Sequence, residues 1–104
     1  MASSKEYLGF ISEQLSELND ITFRAMMGEY IIYYQGKVIG GIYDNRFLVK
    51  PTKSAKEIMP DAALELPYKG AKEMLLVDNL EDKYFLRKLI TATAADLPSK
   101  TKRK

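Results

Sequence analysis

The segment from Ile21 to Lys50 constrains the fold most, because strand-type runs alternate with tight-turn signals along it. Glu29 to Tyr34 is rich in β-branched and aromatic residues, which is typical of a strand. The dipeptides Gln35-Gly36 and Asp44-Asn45 favour two-residue turns, because Gly, Asn and Asp tolerate positive φ. The sequence therefore predicts an antiparallel meander of three or four strands. Its predicted strands are residues 21–26, 29–34, 37–43 and 46–50.

A helix is predicted before the meander. Ser3 and Glu6 have the spacing of a capping box, in which each side chain satisfies a free backbone N–H of the first turn. Apolar residues then recur at helical spacing until Asn19-Asp20 ends the pattern. This apolar stripe consists of Leu8, Ile11, Leu15 and Leu18.

The sequence of the C-terminal half predicts a short helix, a loop, a strand and a long helix, in that order. Thr52 is a favourable N-cap for the short helix, and Pro60 ends it. Asn79 and Asp82 repeat the capping spacing of Ser3 and Glu6 at the start of the long helix, and Pro98 stops it. The four elements are predicted at residues 52–59, 61–72, 74–77 and 80–97. The buried stripe of the long helix is predicted to contain Phe85, Leu86, Leu89, Ile90, Thr93, Ala94 and Leu97.

Helices grouped around an antiparallel meander indicate an α+β domain with two layers. We expect the helices to pack on one face of the sheet and to leave the other face free. The chain of 104 residues fits one domain. We place that domain at residues 1–98 and expect residues 99–104 to form a basic disordered tail.

The composition excludes several kinds of chemistry. The sequence contains no Cys and no His, so it has no disulfide, no thiolate nucleophile and no zinc site of the usual Cys/His kind. It also lacks the commonest general base. We therefore predict no catalytic residue, no cofactor and no metal. The N-terminus has no basic region followed by an apolar run, and no apolar stretch is long enough to span a membrane, so we expect a cytoplasmic protein.

The positive charge is concentrated at the C-terminus. The formal net charge is +2, from 16 basic and 14 acidic residues. Four of the basic residues lie in the last five positions, and without them the count is 12 against 14. Such a tail is either a solvated chain end or a site that grips nucleic acid through its phosphates. The candidate nucleic-acid residues are Lys100, Lys102, Arg103 and Lys104.

The glycines of the meander indicate structural roles, and its tyrosines indicate a binding surface; neither set indicates a catalytic site. Gly40 and Gly41 lie within a predicted strand, where Gly marks a bulge or a close approach of another backbone. No glycine has the spacing or context of a phosphate-binding loop. Tyrosines on a free sheet face can stack on bases or contact a partner protein. Few basic residues interleave with them, which favours the protein partner. These tyrosines are Tyr30, Tyr33, Tyr34 and Tyr43.

Arg24 stands between apolar neighbours in the first predicted strand, with Glu29 nearby. Such an arginine can pair with a carboxylate, bind an anion, or lie with its stem along the surface. Together with the turn at Gly28, it extends the candidate binding region beyond the tyrosines. The complete set of candidate partner-binding residues is Arg24, Gly28, Glu29, Tyr30, Tyr33 and Tyr43.

Two stretches of the sequence resemble the N-terminal domain of TfoX/Sxy-type proteins. The first is FRAMMGEYIIYYQGKVIGGIYDNRFLVKPT, and the second runs from Pro67 to Pro98. The resemblance covers residues 5–98. Glu29 stands where the family often has a second Gly, and Met27 where it often has Phe. The positions that match the family pattern are Arg24, Met26, Met27, Gly28, Tyr30, Tyr33, Gly36, Asp44, Phe47 and Lys50.

The resemblance implies a two-layer fold of the secretion-chaperone-like kind. Well-known members are regulators of natural competence that act with the cyclic-AMP receptor protein, and they carry a second, helical domain. The matching part of this chain does not include such a domain, so we expect the fold to transfer but not the competence role.

The sequence as a whole favours a non-enzymatic regulatory or adaptor domain that binds another protein, such as a transcription regulator. The tyrosine face is expected to make this contact, and it can equally form a homodimer. Two alternatives stay open. One is a nucleic-acid-associated protein that uses the basic tail. The other is a small-ligand or enzymatic domain, which requires a polar pocket holding Arg24 or a carboxylate with a shifted pKa.

Overall fold

A computed structural model describes residues 3–98 and has the predicted α+β architecture. In this part of the chain, six antiparallel strands form one sheet in the order β1-β2-β3-β4-β6-β5. The strands are β1 (Ile21–Met26), β2 (Glu29–Tyr34), β3 (Lys37–Ile42), β4 (Phe47–Val49), β5 (Leu64–Glu65) and β6 (Met74–Leu76). The helices are α1 (Lys5–Gln14), α2 (Lys53–Ile58) and α3 (Lys83–Ala95).

Three two-residue turns build the meander. Met27-Gly28, Gln35-Gly36 and Asp44-Asn45 connect successive strands, and all six residues have φ between 53° and 86°. Positive φ at both turn positions matches the twist of the flanking strands, which is why such turns close hairpins. The two turns predicted from sequence are therefore confirmed, and the break at Gly28 is a third turn of the same kind.

The helices cover one face of the sheet, as expected. Ile11 of α1, Ala55 of α2 and Leu89 of α3 belong to one buried cluster with Ile32 and Phe47 of the sheet. The predicted stripe of α3 is confirmed: Leu86, Leu89, Ile90, Thr93 and Ala94 are buried, while Phe85 and Leu97 pack partly buried against the core.

Two ends of helices differ from the sequence prediction. Ser4, not Ser3, caps α1, because the Ser4 hydroxyl accepts the N–H of Tyr7 at 3.0 Å. Asp82, not Asn79, caps α3, because its carboxylate accepts the N–H of Phe85 at 3.0 Å. In α1 the two serines are adjacent, and Ser3 bonds Glu29 instead of capping the helix. In α3 the capping residue Asp82 lies three residues beyond Asn79, so the helix begins later than predicted.

The predicted loop 61–72 contains a short strand that the sequence did not indicate. Leu64 and Glu65 pair with Leu75 and Met74, so β5 forms one edge of the sheet. A run of two residues is too short to show the period-2 pattern that identifies strands.

Within residues 3–98, none of the helices combines the length and apolar character needed to cross a bilayer.

The glycines inside β3 lie at close backbone approaches, as their position predicted. A Cβ on Gly40 would overlap the carbonyl oxygen of Leu48 and lie 2.8 Å from the Cα of Val49. A register irregularity between Ile32 and Tyr33 lies next to Gly40 in the ladder. Only a residue without a side chain allows β3 and β4 to adopt this spacing.

Contacts at the end of α3 join both the sheet and α2. The Lys37 ammonium donates to the carbonyl of Ala94 at 3.0 Å, a favourable place for a cation at a helix C-terminus. The Asp96 carboxylate accepts the N–H of Ser54 at 2.7 Å. This backbone hydrogen bond is the main cause that lowers the pKa of Asp96 below its ordinary value.

We predict that Asp96→Asn reduces stability at neutral pH but not in acid. A carboxylate whose pKa is lowered on folding stabilises the folded state above its unfolded pKa, and this contribution disappears as pH falls through the folded pKa. The urea midpoints of the wild-type chain and Asp96→Asn should therefore differ at pH 6, and the difference should shrink as the pH falls below the ordinary Asp pKa of 3.8. A constant difference across this range would contradict the prediction.

Candidate protein-binding surface

The sheet side away from the helices has an uncovered half, which we call the open face. It is formed by alternate residues of β1 and β2, whereas Ile21, Phe23 and Ile32 of the same strands pack toward the helices. Successive side chains of a strand point to opposite sides, so the two sets separate cleanly. The open face consists of Thr22, Arg24, Met26, Ile31 and Tyr33.

On the side of the sheet away from the helices, the half formed by β3 and β4 is covered by the segment at residues 66–73. Tyr43 is only 6% exposed, and its ring lies 6.0 Å from that of Tyr68. Leu48 is fully buried although it lies outside the main core cluster. Gly41 leaves room for Tyr43, because a Cβ there would lie 2.6 Å from its ring. A second, smaller apolar layer therefore closes this half of the sheet.

Arg46 anchors the covering segment. Its Nη1 lies 2.7 Å from Glu65 Oε1, and its Nη2 donates to the carbonyl of Leu66 at 3.0 Å.

Burial is the main cause that raises the pKa of Tyr43, and Tyr68 and Glu29 add to it. The Tyr43 hydroxyl therefore stays protonated at physiological pH.

The structure separates the candidate binding residues predicted from sequence. Arg24 and Tyr33 lie together on the open face. The expectation that Tyr30 lies on the free face is wrong, because Tyr30 packs against the core on the helix side. The same expectation is wrong for Tyr43, which is buried beside Tyr68. Tyr34 also packs toward the helices.

Gly28 and Glu29 lie next to the open face, and their contacts stabilise the fold. Gly28 occupies the β1–β2 turn with φ of 86°, and its carbonyl accepts the N–H of Ser3 at 3.1 Å. The Glu29 carboxylate accepts the Ser3 hydroxyl at 2.6 Å and the N–H of Asp44 at 3.1 Å. The Ser3 hydroxyl in turn accepts the N–H of Asn45 at 3.0 Å. Glu29 therefore ties two turns to the start of the chain.

Glu29→Ala is expected to lower the free energy of unfolding by about 1–3 kcal/mol, because hydrogen bonds to a charged group are lost and donors are left unpaired. Glu57→Ala is the matched control, since Glu57 is an exposed residue of α2. It should change the free energy by less than about 0.5 kcal/mol. Denaturant unfolding of both variants measures the difference, and equal effects would show that the Glu29 contacts do not stabilise the turns.

Arg24 and Tyr33 separate two shallow depressions on the open face. One has a volume of about 560 Å³ and is lined by Thr22, Phe23, Arg24, Tyr33 and Gly36. The other has a volume of about 240 Å³ and is lined by Arg24, Ala25, Met26, Ile31 and Tyr33. No carboxylate of residues 3–98 lines either depression. The guanidinium of Arg24 is exposed and has no ion pair within the described residues.

Two methionines extend this surface at the β1–β2 turn. Met27 is 96% exposed and Met26 is 37% exposed. Methionine is flexible and polarisable, and it adapts to varied apolar partners. An exposed arrangement of Met, Tyr and Arg side chains has the composition of protein–protein contact surfaces.

Comparison with known protein families identifies the family of this chain. A model of the TfoX N-terminal domain matches residues 13–96. The chain belongs to this family. The chain is also 34% identical over 105 residues to an uncharacterised 12.7 kDa protein encoded in the trpE 5′ region of Spirochaeta aurantia. That match covers 100% of this chain and 91% of the relative. No solved structure matches.

In this TfoX N-terminal domain, several residues that carried the sequence resemblance lie at turns. Gly28, Gly36 and Asp44 all have positive φ. Phe47 is fully buried in the core. These positions therefore specify the fold, while Arg24, Met26, Met27 and Tyr33 remain accessible on one side of the sheet. The predicted tail residues Lys100, Lys102, Arg103 and Lys104 lie outside the described residues.

Sequence reasoning missed the segment that covers Tyr43. Pro67 and Tyr68 lie more than 20 positions from Tyr43, and the Arg46–Glu65 ion pair holds the chain just before them. Pro67 is buried, which is unusual for a proline; this burial is a property of the structure, and no local pattern in the sequence indicates it. Among the described residues, no group of three or more carboxylates is arranged to hold a metal ion.

Proposed function

We propose that this domain is a non-enzymatic adaptor that binds a protein partner through the open face and the adjoining Met27. The observation that supports the proposal most is the exposed position of Met27 beside Met26, Arg24 and Tyr33. Apolar side chains exposed together on a small domain mark interaction surfaces. A transcription regulator is the partner class that the family resemblance implies.

The two depressions indicate what the partner should present. Their walls are aromatic and aliphatic, and Arg24 supplies a positive charge between them. A partner segment with an apolar side chain next to a carboxylate would fit this chemistry. The carboxylate would pair with the guanidinium of Arg24, which offers two parallel N–H donors. The apolar side chain would pack beside the Tyr33 ring.

Binding is better supported than catalysis on this surface. The sequence has no His and no Cys to act as a base or nucleophile. Both depressions are shallow, and their described lining holds one charged side chain, Arg24. Enzyme sites are usually enclosed and combine several convergent polar groups.

Tyr33→Ala is expected to weaken partner binding at least about tenfold, which corresponds to a loss of about 1.4 kcal/mol. Tyr84→Ala is the matched control, because Tyr84 is a 67% exposed tyrosine on α3. The full chain first captures its partner from lysate of the native host, and titration calorimetry then measures each variant. Equal affinities for the two variants would remove the open face from the proposal.

The capture is run with nuclease and at low and high salt. A discrete protein that remains under both treatments agrees with an adaptor. Recovery of nucleic acid alone, lost at high salt, would contradict the proposal and would favour binding through the basic residues at positions 99–104.

A further inference from the structure

The two edges of the sheet differ in length and protection. One edge is β5, which has two residues. The other edge is β1, which has six residues and is mostly exposed. Natural proteins shorten an edge strand or place Pro, Lys or a bulge on it to prevent pairing with another chain. β1 contains no Pro and no Lys, its one charged residue is Arg24, and the register irregularity lies between β2 and β3.

The pairing with β2 determines which backbone groups of β1 point outward. Gln35 donates its N–H to the carbonyl of Asp20 at 3.0 Å, so these two residues form a hydrogen-bonded pair. In an antiparallel ladder such pairs recur at every second residue. Thr22, Arg24 and Met26 therefore bond to β2, opposite Tyr33, Ile31 and Glu29. The N–H and C=O groups of Ile21, Phe23 and Ala25 point away from the sheet.

We propose that β1 is a dimerisation edge, on which β1 of a second copy pairs antiparallel about a two-fold axis at Phe23. In this register Phe23 faces Phe23 of the second copy, and Ile21 faces its Ala25. Each outward backbone group then finds a complementary group, which gives six hydrogen bonds. The two six-stranded sheets become one continuous sheet.

Charge selects this register over its neighbours. The outward groups at alternate positions permit registers that differ by two residues. A shift in one direction places Arg24 opposite Arg24 of the second copy, and like charges directly opposite are unfavourable. A shift of two residues in the other direction leaves only two of the three hydrogen-bonded pairs within β1. With the axis at Phe23, Arg24 lies opposite Thr22, which is uncharged.

The dimer goes beyond the proposed adaptor function and does not depend on it. Edge pairing uses backbone groups and the rim of the sheet, so the side chains of Arg24 and Tyr33 remain on the open face. The open faces of the two copies would lie side by side. A dimeric partner would then meet two equivalent surfaces.

The chain has no natural cysteine, which allows a direct test of the register. In the full chain, Phe23→Cys places the two new thiols on facing residues with Cα atoms about 5.5 Å apart, within disulfide range. Thr22→Cys is the control, because its thiols would be on Cα atoms roughly 8 Å apart, beyond that range. Mild oxidation should cross-link Phe23→Cys at least tenfold faster than Thr22→Cys. Equal rates, or no cross-linking of either, would overturn the proposal.

A second pair of variants tests the edge without cross-linking. Ala25→Pro removes an outward N–H without removing a bond to β2, and Pro is tolerated on edge strands. Ala25→Ser keeps that N–H. Sedimentation should give twice the 11.8 kDa chain mass for the wild-type chain and Ala25→Ser. The dissociation constant of Ala25→Pro should rise at least tenfold. A monomeric wild-type chain at 100 μM, or an unchanged constant for a folded Ala25→Pro, would overturn the proposal.

Discussion

Replacing Gly40 with Ala is expected to lower the free energy of unfolding by about 3 kcal/mol, the upper end of overpacking costs. A Cβ at this position would overlap the backbone of Leu48 and approach the Cα of Val49. Backbone atoms of a neighbouring strand cannot rotate aside as the end of a side chain can. The separation of β3 and β4 would have to increase, which weakens the ladder between them.

Gly9→Ala is the matched control for Gly40→Ala. Gly9 lies in α1, and a Cβ there would meet no atom within 4 Å. Ala is favoured over Gly inside helices, so this variant should gain about 0.5–1 kcal/mol. Denaturant unfolding with a common slope measures both changes. Opposite signs are expected, and similar losses would show that the close approach of β3 and β4 is not what constrains Gly40.

Replacing Phe47 with Ala should lower the free energy of unfolding by about 3–5 kcal/mol, because a large side chain is removed from a filled core. Phe47 is fully buried and lies in the cluster that joins the sheet to all three described helices. Its partner across the ladder, Ile42, is also fully buried.

Phe10→Ala is the comparison for Phe47→Ala. Phe10 is 38% exposed, and its ring lies 6.5 Å from that of Tyr7. Its removal should cost less than about 2 kcal/mol, because much of the side chain already contacts water. Thermal unfolding should place the midpoint of Phe47→Ala well below that of Phe10→Ala. Equal midpoints would contradict the position of Phe47 in the core.

Local signals made most of the fold predictable. The Gln35-Gly36 and Asp44-Asn45 turns follow from residues that accept positive φ, and Thr52 caps α2 as its residue type predicts. These features depend on neighbours within four positions. The choice of Ser4 over Ser3 is different, because Ser3 is held by Glu29 and Gly28 from another part of the chain.

The candidate surface was predictable only in part. Ile31 and Ile32 are both apolar and point to opposite sides of β2, so the sequence alone did not determine which side the helices cover. Because of that ambiguity, the sequence predicts one face for Tyr30 and Tyr33, which the structure places on opposite sides. The position of Tyr43 is not predictable for another reason, since the segment that covers it comes from a distant part of the chain.

Site-specific photo-cross-linking tests the adaptor proposal most directly. A photoreactive residue at Met27, which is 96% exposed beside the open face, is compared with one at Tyr84 on α3. The full chain is irradiated in host lysate after nuclease treatment. We expect a discrete protein other than the chain itself to be captured from position 27 and not from position 84. Capture from both positions alike, or from position 84 alone, would contradict it.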